Sequence, residues 1–458
     1  MKKHIRLLAA LLALTLALSL SAFAADFTAL ADELHTMGMF EGTNKGYELE
    51  RVPTRGEAAV MLVRLLGQED AAKAAYEAGT LTHPYVDAQE LWVAPAVAYL
   101  YVNGLTTGMG FNAKNEPIFG MRNPCNAQMY ATFLLRSLGY TDQGAAADFA
   151  YADALTYGAE KGVMDALLQM RVFDRDTLVA ASYQALATPV KSAEGTLLEK
   201  LIKDGAIDKT AAAGTLAKIE TFEKFNDRAG ALVNVKALDM SMTMGMKMTT
   251  TDASGVKATV EVPVAMALQV DMASGKTLMH LALEAAGEKT EMWYRDGWQY
   301  TKSGDVCQKV EMADPMETMT QAGLESVTAD SGAAGLYMFG QITEATTAAG
   351  TTYTVTMSDG FYSLMDELMT LIAHAAAQGD SVMTMDLSDI QMGMQFAPNG
   401  DPKTMTFTMA MDMTVDGAPV GMTMDCTIDI NALGDKVSVV FPADLETCPV
   451  AVTETPAA

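Results

Sequence analysis

The chain has 458 residues, half of them hydrophobic, and a formal charge of −26. That length holds two or three domains and that apolar share is ample for packed cores, so a disordered chain is excluded. So large an acidic excess repels nucleic acid and anionic lipid, and neither is an expected partner.

The first residues read as an export signal. Lys2, Lys3 and Arg6 precede an apolar stretch from Leu7 to Leu20, and the small-residue pattern Ala22-Phe23-Ala24 follows. This core is shorter than the roughly 20 residues of a membrane-spanning helix, which predicts a signal peptide over 1–24 with cleavage after Ala24. No later stretch is apolar enough to span a bilayer, so no integral membrane segment is expected.

Residues 26–188 read as three copies of one helical pattern. The first copy, about 26–68, has a helix from Phe27 to Thr36, a turn over Gly38 to Gly42, and a second helix from Arg55 to Leu66. Thr54 and Glu57 have capping-box spacing at its start. Ala58, Met61, Leu62 and Leu65 recur at helical spacing, and Gly67 ends the helix. The second copy, about 83–140, carries Tyr85-Val86-Asp87, Trp92, a helix from Ala94 to Tyr101, and the glycine-framed turn Gly104-Leu105-Thr106-Thr107-Gly108. A helix then ends in Arg136-Ser137-Leu138-Gly139, matching Arg64-Leu65-Leu66-Gly67. The third copy, about 147–188, is weaker: Phe149, Asp153, a helix to Lys161, the turn Gly162-Val163-Met164-Asp165, and a helix opened by Asp174-Arg175.

With its Thr54-Arg55-Gly56-Glu57 opening and its glycine turns in triplicate, this region resembles the S-layer homology domain. The resemblance implies a pseudo-threefold all-α bundle that holds an exported protein to secondary cell-wall polysaccharide, often pyruvylated, in grooves between copies. It implies a cell-surface, wall-bound location within an S-layer. It also places polysaccharide-binding residues at Arg55 and Glu57, at Gly38, Asp87, Trp92, Gly104, Thr106 and Gly108, and at Arg175. A guanidinium grips a carboxylate in bidentate fashion, so arginine suits an anionic sugar. The middle copy departs from the motif: Cys125-Asn126-Ala127-Gln128 stands where the arginine is expected, with Arg122 nearby. Thr54 and Glu57 are also what any stable helix start uses, and Trp92 reads equally as a partly buried core residue.

Residues 191–228 predict two short helices acting as a stiff linker. Residues 229–450 form a methionine-rich β domain. Met240, Met242, Met244, Met246 and Met248 alternate with polar residues, the period of a strand. Further strands are predicted at Thr259–Met272, Thr277–Glu284, Glu291–Tyr294, Gln299–Lys302, Thr351–Met357, Val382–Gln395, Thr404–Val415, Gly421–Asn431 and Asp435–Phe441. Helices are predicted at Phe361–Gln378 and Pro315–Gly323. A curved antiparallel sheet with one or two helices across its concave face accommodates this pattern. Its texture is similar to the half-barrel of lipoprotein-carrier (LolA/LppX-like) domains, which implies a hydrophobic ligand as an alternative function. Residues 451–458 read as a disordered tail.

The fold class predicted is therefore α+β and multidomain. After Asn234 lie 26 of the 35 methionines. Thioethers are soft ligands for Cu(I), but alternation with polar residues reads first as a half-buried strand that uses methionine to fill gaps. Cys125, Cys307, Cys426 and Cys448 show no CxxC spacing, so a zinc site is not expected, and no other metal or cofactor is. Export permits disulfides, and Cys426 with Cys448 is the nearest pair. No nucleophile-elbow, zincin, P-loop or dinucleotide motif occurs in the β domain, and its two histidines, His280 and His374, stand alone. No catalytic residues are expected. A surface hydrolase using two carboxylates is the remaining enzyme alternative.

Overall fold

The computed structural model describes residues 26–233, 235–251, 256–315, 335–366, 383–415 and 418–451. The expected signal peptide, the tail, nearly all of the Pro315 helix and most of the Phe361 helix lie outside these; residues 359–366 are helical. The chain divides into two compact units. The first holds residues 26–220 together with 335–340 and 358–366, and the second holds the sheet.

The first unit is helical: α1 (Thr28–Thr36), α2 (Arg55–Leu65), α3 (Glu69–Glu77), α4 (Ala94–Val102), α5 (Ala127–Ser137), α6 (Ala154–Glu160), α7 (Ala166–Met170), α8 (Arg175–Leu186), α9 (Leu197–Lys203) and the start of α10 (Ala213–Val233). The three segments expected as copies share local physics. Gly38, Gly104 and Gly162 follow the first helix of each copy at φ +71°, +70° and +73°, a conformation that costs other residues roughly 1–2 kcal/mol. The second helices α2, α5 and α8 start at Thr54, Asn126 and Asp174, whose side chains accept the N–H of Glu57, Met129 and Thr177. Each cap satisfies a free helical donor and stabilises its helix by about 1 kcal/mol. Leu62, Val63, Phe133, Leu134, Val179 and Tyr183 from these helices are buried in the core.

One feature of this unit has no local signal in the sequence. Residues 335–340 return from the β part and pack into the third copy. Leu336 and Tyr337 are fully buried. The Tyr337 hydroxyl donates to Asp165 at 2.7 Å, and the Leu336 N–H donates to Gln184 Oε1.

The second unit is an open, curved antiparallel sheet. Its strands are β1 (Ala237–Thr251), β2 (Lys257–Asp271), β3 (Leu278–Ala285), β4 (Glu288–Arg295), β5 (Trp298–Ser303), β6 (Val306–Glu311), β7 (Phe339–Thr347), β8 (Gly350–Met357), β9 (Met383–Phe396), β10 (Pro402–Val415) and β11 (Ala418–Leu433). Among the described residues the order is β6-β5-β4-β3-β2-β1-β11-β10-β9-β8-β7, two meanders joined at β1 and β11. The segment expected as a strand at Asp435–Phe441 is instead a 3-10 turn at Gly434–Lys436 followed by chain outside the sheet. Phe441 leaves the sheet to pack against the aromatic cluster of Trp293 and Tyr300. The second half of the expected linker opens a 21-residue helix, α10, that runs on past residue 228 to Val233 and whose Phe225 and Ala229 pack on Tyr353, Met394 and Phe396.

The disulfide joins Cys307 to Cys448, with Cα atoms 5.3 Å apart. Cys426, the nearest cysteine to Cys448 in sequence, is free. Proximity in sequence misleads because Cys426 lies within β11, opposite Met244 and Phe407. The later segment runs to the far edge of the sheet, where the Lys309 N–H donates to the Pro449 carbonyl and Ala451 N–H to the Lys309 carbonyl. Those bonds occupy edge groups of β6 that would otherwise template foreign strands.

Candidate functional site

Two places carry the candidate chemistry, one in each unit. In the helical unit, Arg55 leaves its own copy and reaches the second. Its Nε donates to the Phe119 carbonyl at 3.0 Å and its Nη2 to the Thr106 hydroxyl at 3.4 Å. The guanidinium lies 4.8 Å and 4.9 Å from the ring centres of Phe119 and Phe133, within the range of cation–π attraction. Only 6% of Arg55 is exposed, and burial pushes its pKa below the ordinary arginine value. Among the described residues it forms no salt bridge. It lines a cavity of about 280 Å³ with Thr107, Gly108, Met129, Thr132, Arg136 and Tyr151. Arg136 is already committed, to both oxygens of Asp142 at 2.8 Å and to the Leu105 carbonyl. Arg55 is thus the cavity's cation without a carboxylate, and Tyr151, 45% exposed, gives it an aromatic wall.

Arg175 makes the corresponding reach from the third copy to the first. Its Nε donates to the Tyr47 carbonyl at 2.8 Å and its Nη2 to the Glu41 carbonyl, with Phe40 beneath. The cavity beside it, about 420 Å³, is lined by Asp26, Glu48, Glu50 and Asp176 and does not include Arg175. Burial raises the Asp176 carboxyl to about 7 against the pull of Arg171, and Asp176 also accepts the Phe27 N–H. Such an acidic hollow repels an anion.

The remaining candidate residues are placed as follows. Glu57 closes the Thr54 capping box and takes two bonds from Arg51; burial works against its charge, but these bonds hold its pKa below the usual range. Asp87 accepts the N–H groups of Phe119 and Gly120 at 2.7 Å and so shapes the loop that carries the Arg55 acceptor. The Thr106 hydroxyl also accepts the Gly108 N–H. Gly108 is at φ +75°, and a Cβ there would meet the Tyr85 ring at 2.4 Å. Gly38 and Gly104 are turn glycines with open space around them. Trp92 is 48% exposed, donates to Glu90, and lies against Gly56. Phe119, Phe133 and Tyr151 had no sequence signal, because Arg55 meets Phe119 across 64 residues of chain.

In the sheet unit the register sorts the two faces. Tyr353, Met394, Met405, Ile428, Met242, Met266 and Leu283 stand opposite one another in a row across seven strands. The next row on that face is Val355, Met392, Phe407, Cys426, Met244, Val264 and Ala285. Between them, on the opposite face, lie Thr354, Gly393, Thr406, Thr427, Thr243, Ala265 and Glu284. α10 covers the Tyr353 end of the apolar face, while Met242, Met244, Val264 and Met266 are half-buried. A cavity of about 450 Å³ sits on the threonine face, floored by Gly245 and Ala265 and flanked by Glu284 and Asp425.

No group of three or more His, Cys, Asp or Glu residues that could hold a metal occurs among the described residues. No helix among them is long and apolar enough to cross a membrane.

No protein-family model matches the chain, so the S-layer homology resemblance rests on the residues quoted for it. No curated protein matches either. Solved structures similar to the chain include LprF from Mycobacterium bovis, at 12% identity over 49% of this chain and 97% of that one, with a TM-score of 0.21. A DUF1329 family protein from Desulfovibrio piger matches at 8% identity over 49% and 96%, with a TM-score of 0.17. A LolA superfamily protein from Nitrosomonas europaea matches at 8% identity over 47% and 95%, with a TM-score of 0.14. Likeness at this level carries no argument about ligand or mechanism.

Proposed function

We propose that this chain is an exported, non-integral envelope protein whose open sheet holds a hydrophobic molecule against its methionine face. The observation supporting this is the register itself, which gathers apolar side chains from seven strands on one face and threonines on the other. Such a face needs a cover, since each methylene kept from water is worth about 0.8 kcal/mol. Methionine, unbranched and polarisable, reshapes to fit varied apolar partners. The reading is one of binding, without catalysis. It is tested by native mass spectrometry of the full chain after incubation with mixed neutral lipids: a one-to-one complex is expected, and failure to form any complex would contradict the reading.

A second reading concerns the helical unit, which would attach the chain to a carboxylate-bearing cell-wall polysaccharide. The cavity at Arg55 favours it, because a buried guanidinium without a carboxylate partner beside an exposed tyrosine suits an anionic sugar. Cosedimentation of the full chain with wall sacculi, before and after removal of the secondary polysaccharide, tests it. Binding lost on stripping and in Arg55→Ala is expected; equal binding to stripped wall would refute it.

A further inference from the structure

Beyond the two rows described above, the apolar face carries a third and a fourth row made wholly of methionine on three adjacent strands. Met246 on β1 stands opposite Met424 on β11, and Met424 stands opposite Met409 on β10. Two residues further along the same strands, Met248, Met422 and Met411 repeat the arrangement. Residues two apart on a strand share a face, so all six thioethers project from one patch.

The geometry lets each trio converge. Directly opposed residues have Cβ atoms about 4.5–5.5 Å apart, so the outer two methionines of a row are separated by roughly 10 Å. Each carries its sulfur two bonds beyond Cβ on an unbranched chain with free rotation, a reach long enough for both outer sulfurs to meet over the middle residue. The patch is also accessible: Met248 is 38% exposed, Met246, Met422, Met424 and Met409 are half-buried, and only Met411 is buried.

We propose that these two trios form a binding site for a soft monovalent metal ion of the Cu(I) class. Thioether sulfur is a weak ligand for hard cations and selects for soft ones. The side chains are uncharged at every pH, so the site requires no deprotonation and discriminates against divalent ions that favour carboxylate or imidazole. The Cys426 thiol, one row away and opposite Met244, lies outside both trios.

The test is titration of the full chain with Ag(I) by calorimetry and with Cu(I), under anaerobic conditions, against a bicinchoninate indicator. Two ions per chain are expected. Converting Met246, Met409 and Met424 to leucine should remove one, and converting all six should remove both. Leucine keeps the volume and apolar character, so folding is retained, and the six-leucine chain should keep the wild-type melting profile. X-ray absorption of the Ag(I)-loaded wild-type chain should show sulfur ligands alone. Undiminished binding in the six-leucine chain, loss of binding in Cys426→Ser, or nitrogen and oxygen ligation in the absorption spectrum would overturn the proposal.

Discussion

Met242 on β1 stands directly opposite Ile428 on β11, which makes the first and last strands of the sheet neighbours and carries one apolar face unbroken across the join. A single strand with alternating methionines is an ordinary half-buried element. Seven strands with their apolar residues in register form a surface with a defined chemistry.

Arg55 should matter to stability as well as to any ligand. Arg55→Ala removes two hydrogen bonds and a ring-stacked cation from a buried position, and should cost the helical unit about 2 kcal/mol or more in chemical denaturation. Arg55→Lys should not restore it, because an ammonium cannot reach the Phe119 carbonyl and the Thr106 hydroxyl from between two rings. A neutral Arg55→Ala would show that those contacts contribute nothing.

The buried Asp176 makes stability depend on pH with a definite sign. Its folded pKa is raised to about 7, so between the usual carboxylate range and pH 7 the folded chain binds more protons than the unfolded one. Its contribution is greatest below about pH 4 and falls as pH rises towards 7. Asp165, raised in the same direction by burial, adds to the trend. Melting curves from pH 4 to 8 should show a flatter profile in Asp176→Asn, which keeps an acceptor for the Phe27 N–H. An unchanged profile would show that Asp176 does not titrate in this window.

The Cys307–Cys448 bond closes a separation of 141 residues. By chain entropy, a loop of that length stabilises by about 4–5 kcal/mol. Replacing both cysteines with alanine should lower the sheet unit's urea midpoint. It should also shift tryptophan emission to the red, since Trp293 and Trp298 share the cluster that Cys448 caps. An unchanged spectrum would show that the cluster stands without the bond.

Thiol counting distinguishes the remaining cysteines. Cys426 is half-exposed, while Cys125 is buried and its thiol is pushed up to about 12. A thiol reagent should label one group in the folded chain and two after unfolding without reductant. Four groups after unfolding would exclude the disulfide.

What the sequence revealed was local. Thr54 and Glu57 specify a helix start within four residues, Gly38 and Gly104 specify turns by themselves, and the Met240 to Met248 alternation specifies a strand. Contacts between distant segments were hidden. Phe119 and Tyr151 at Arg55, the return of Tyr337 to Asp165, and the choice of Cys307 over Cys426 all depend on where the chain comes back. β6 and β7 were missed because they are edge strands: β7, with Gly340 and a run of threonines, buries little and so lacks a clear apolar period.

The most direct test of the central claim uses two adjacent residues on opposite faces of β1. Full chains carrying Met242→Asp or Thr243→Asp, each with an unaltered melting profile, would be titrated with a neutral fluorescent hydrophobic probe. A carboxylate buried under an apolar ligand is costly, so Met242→Asp should weaken binding at least about 10-fold, whereas Thr243→Asp should bind as the wild type does. Equal effects of the two substitutions, or full binding by Met242→Asp, would contradict the assignment of the methionine face as the ligand surface.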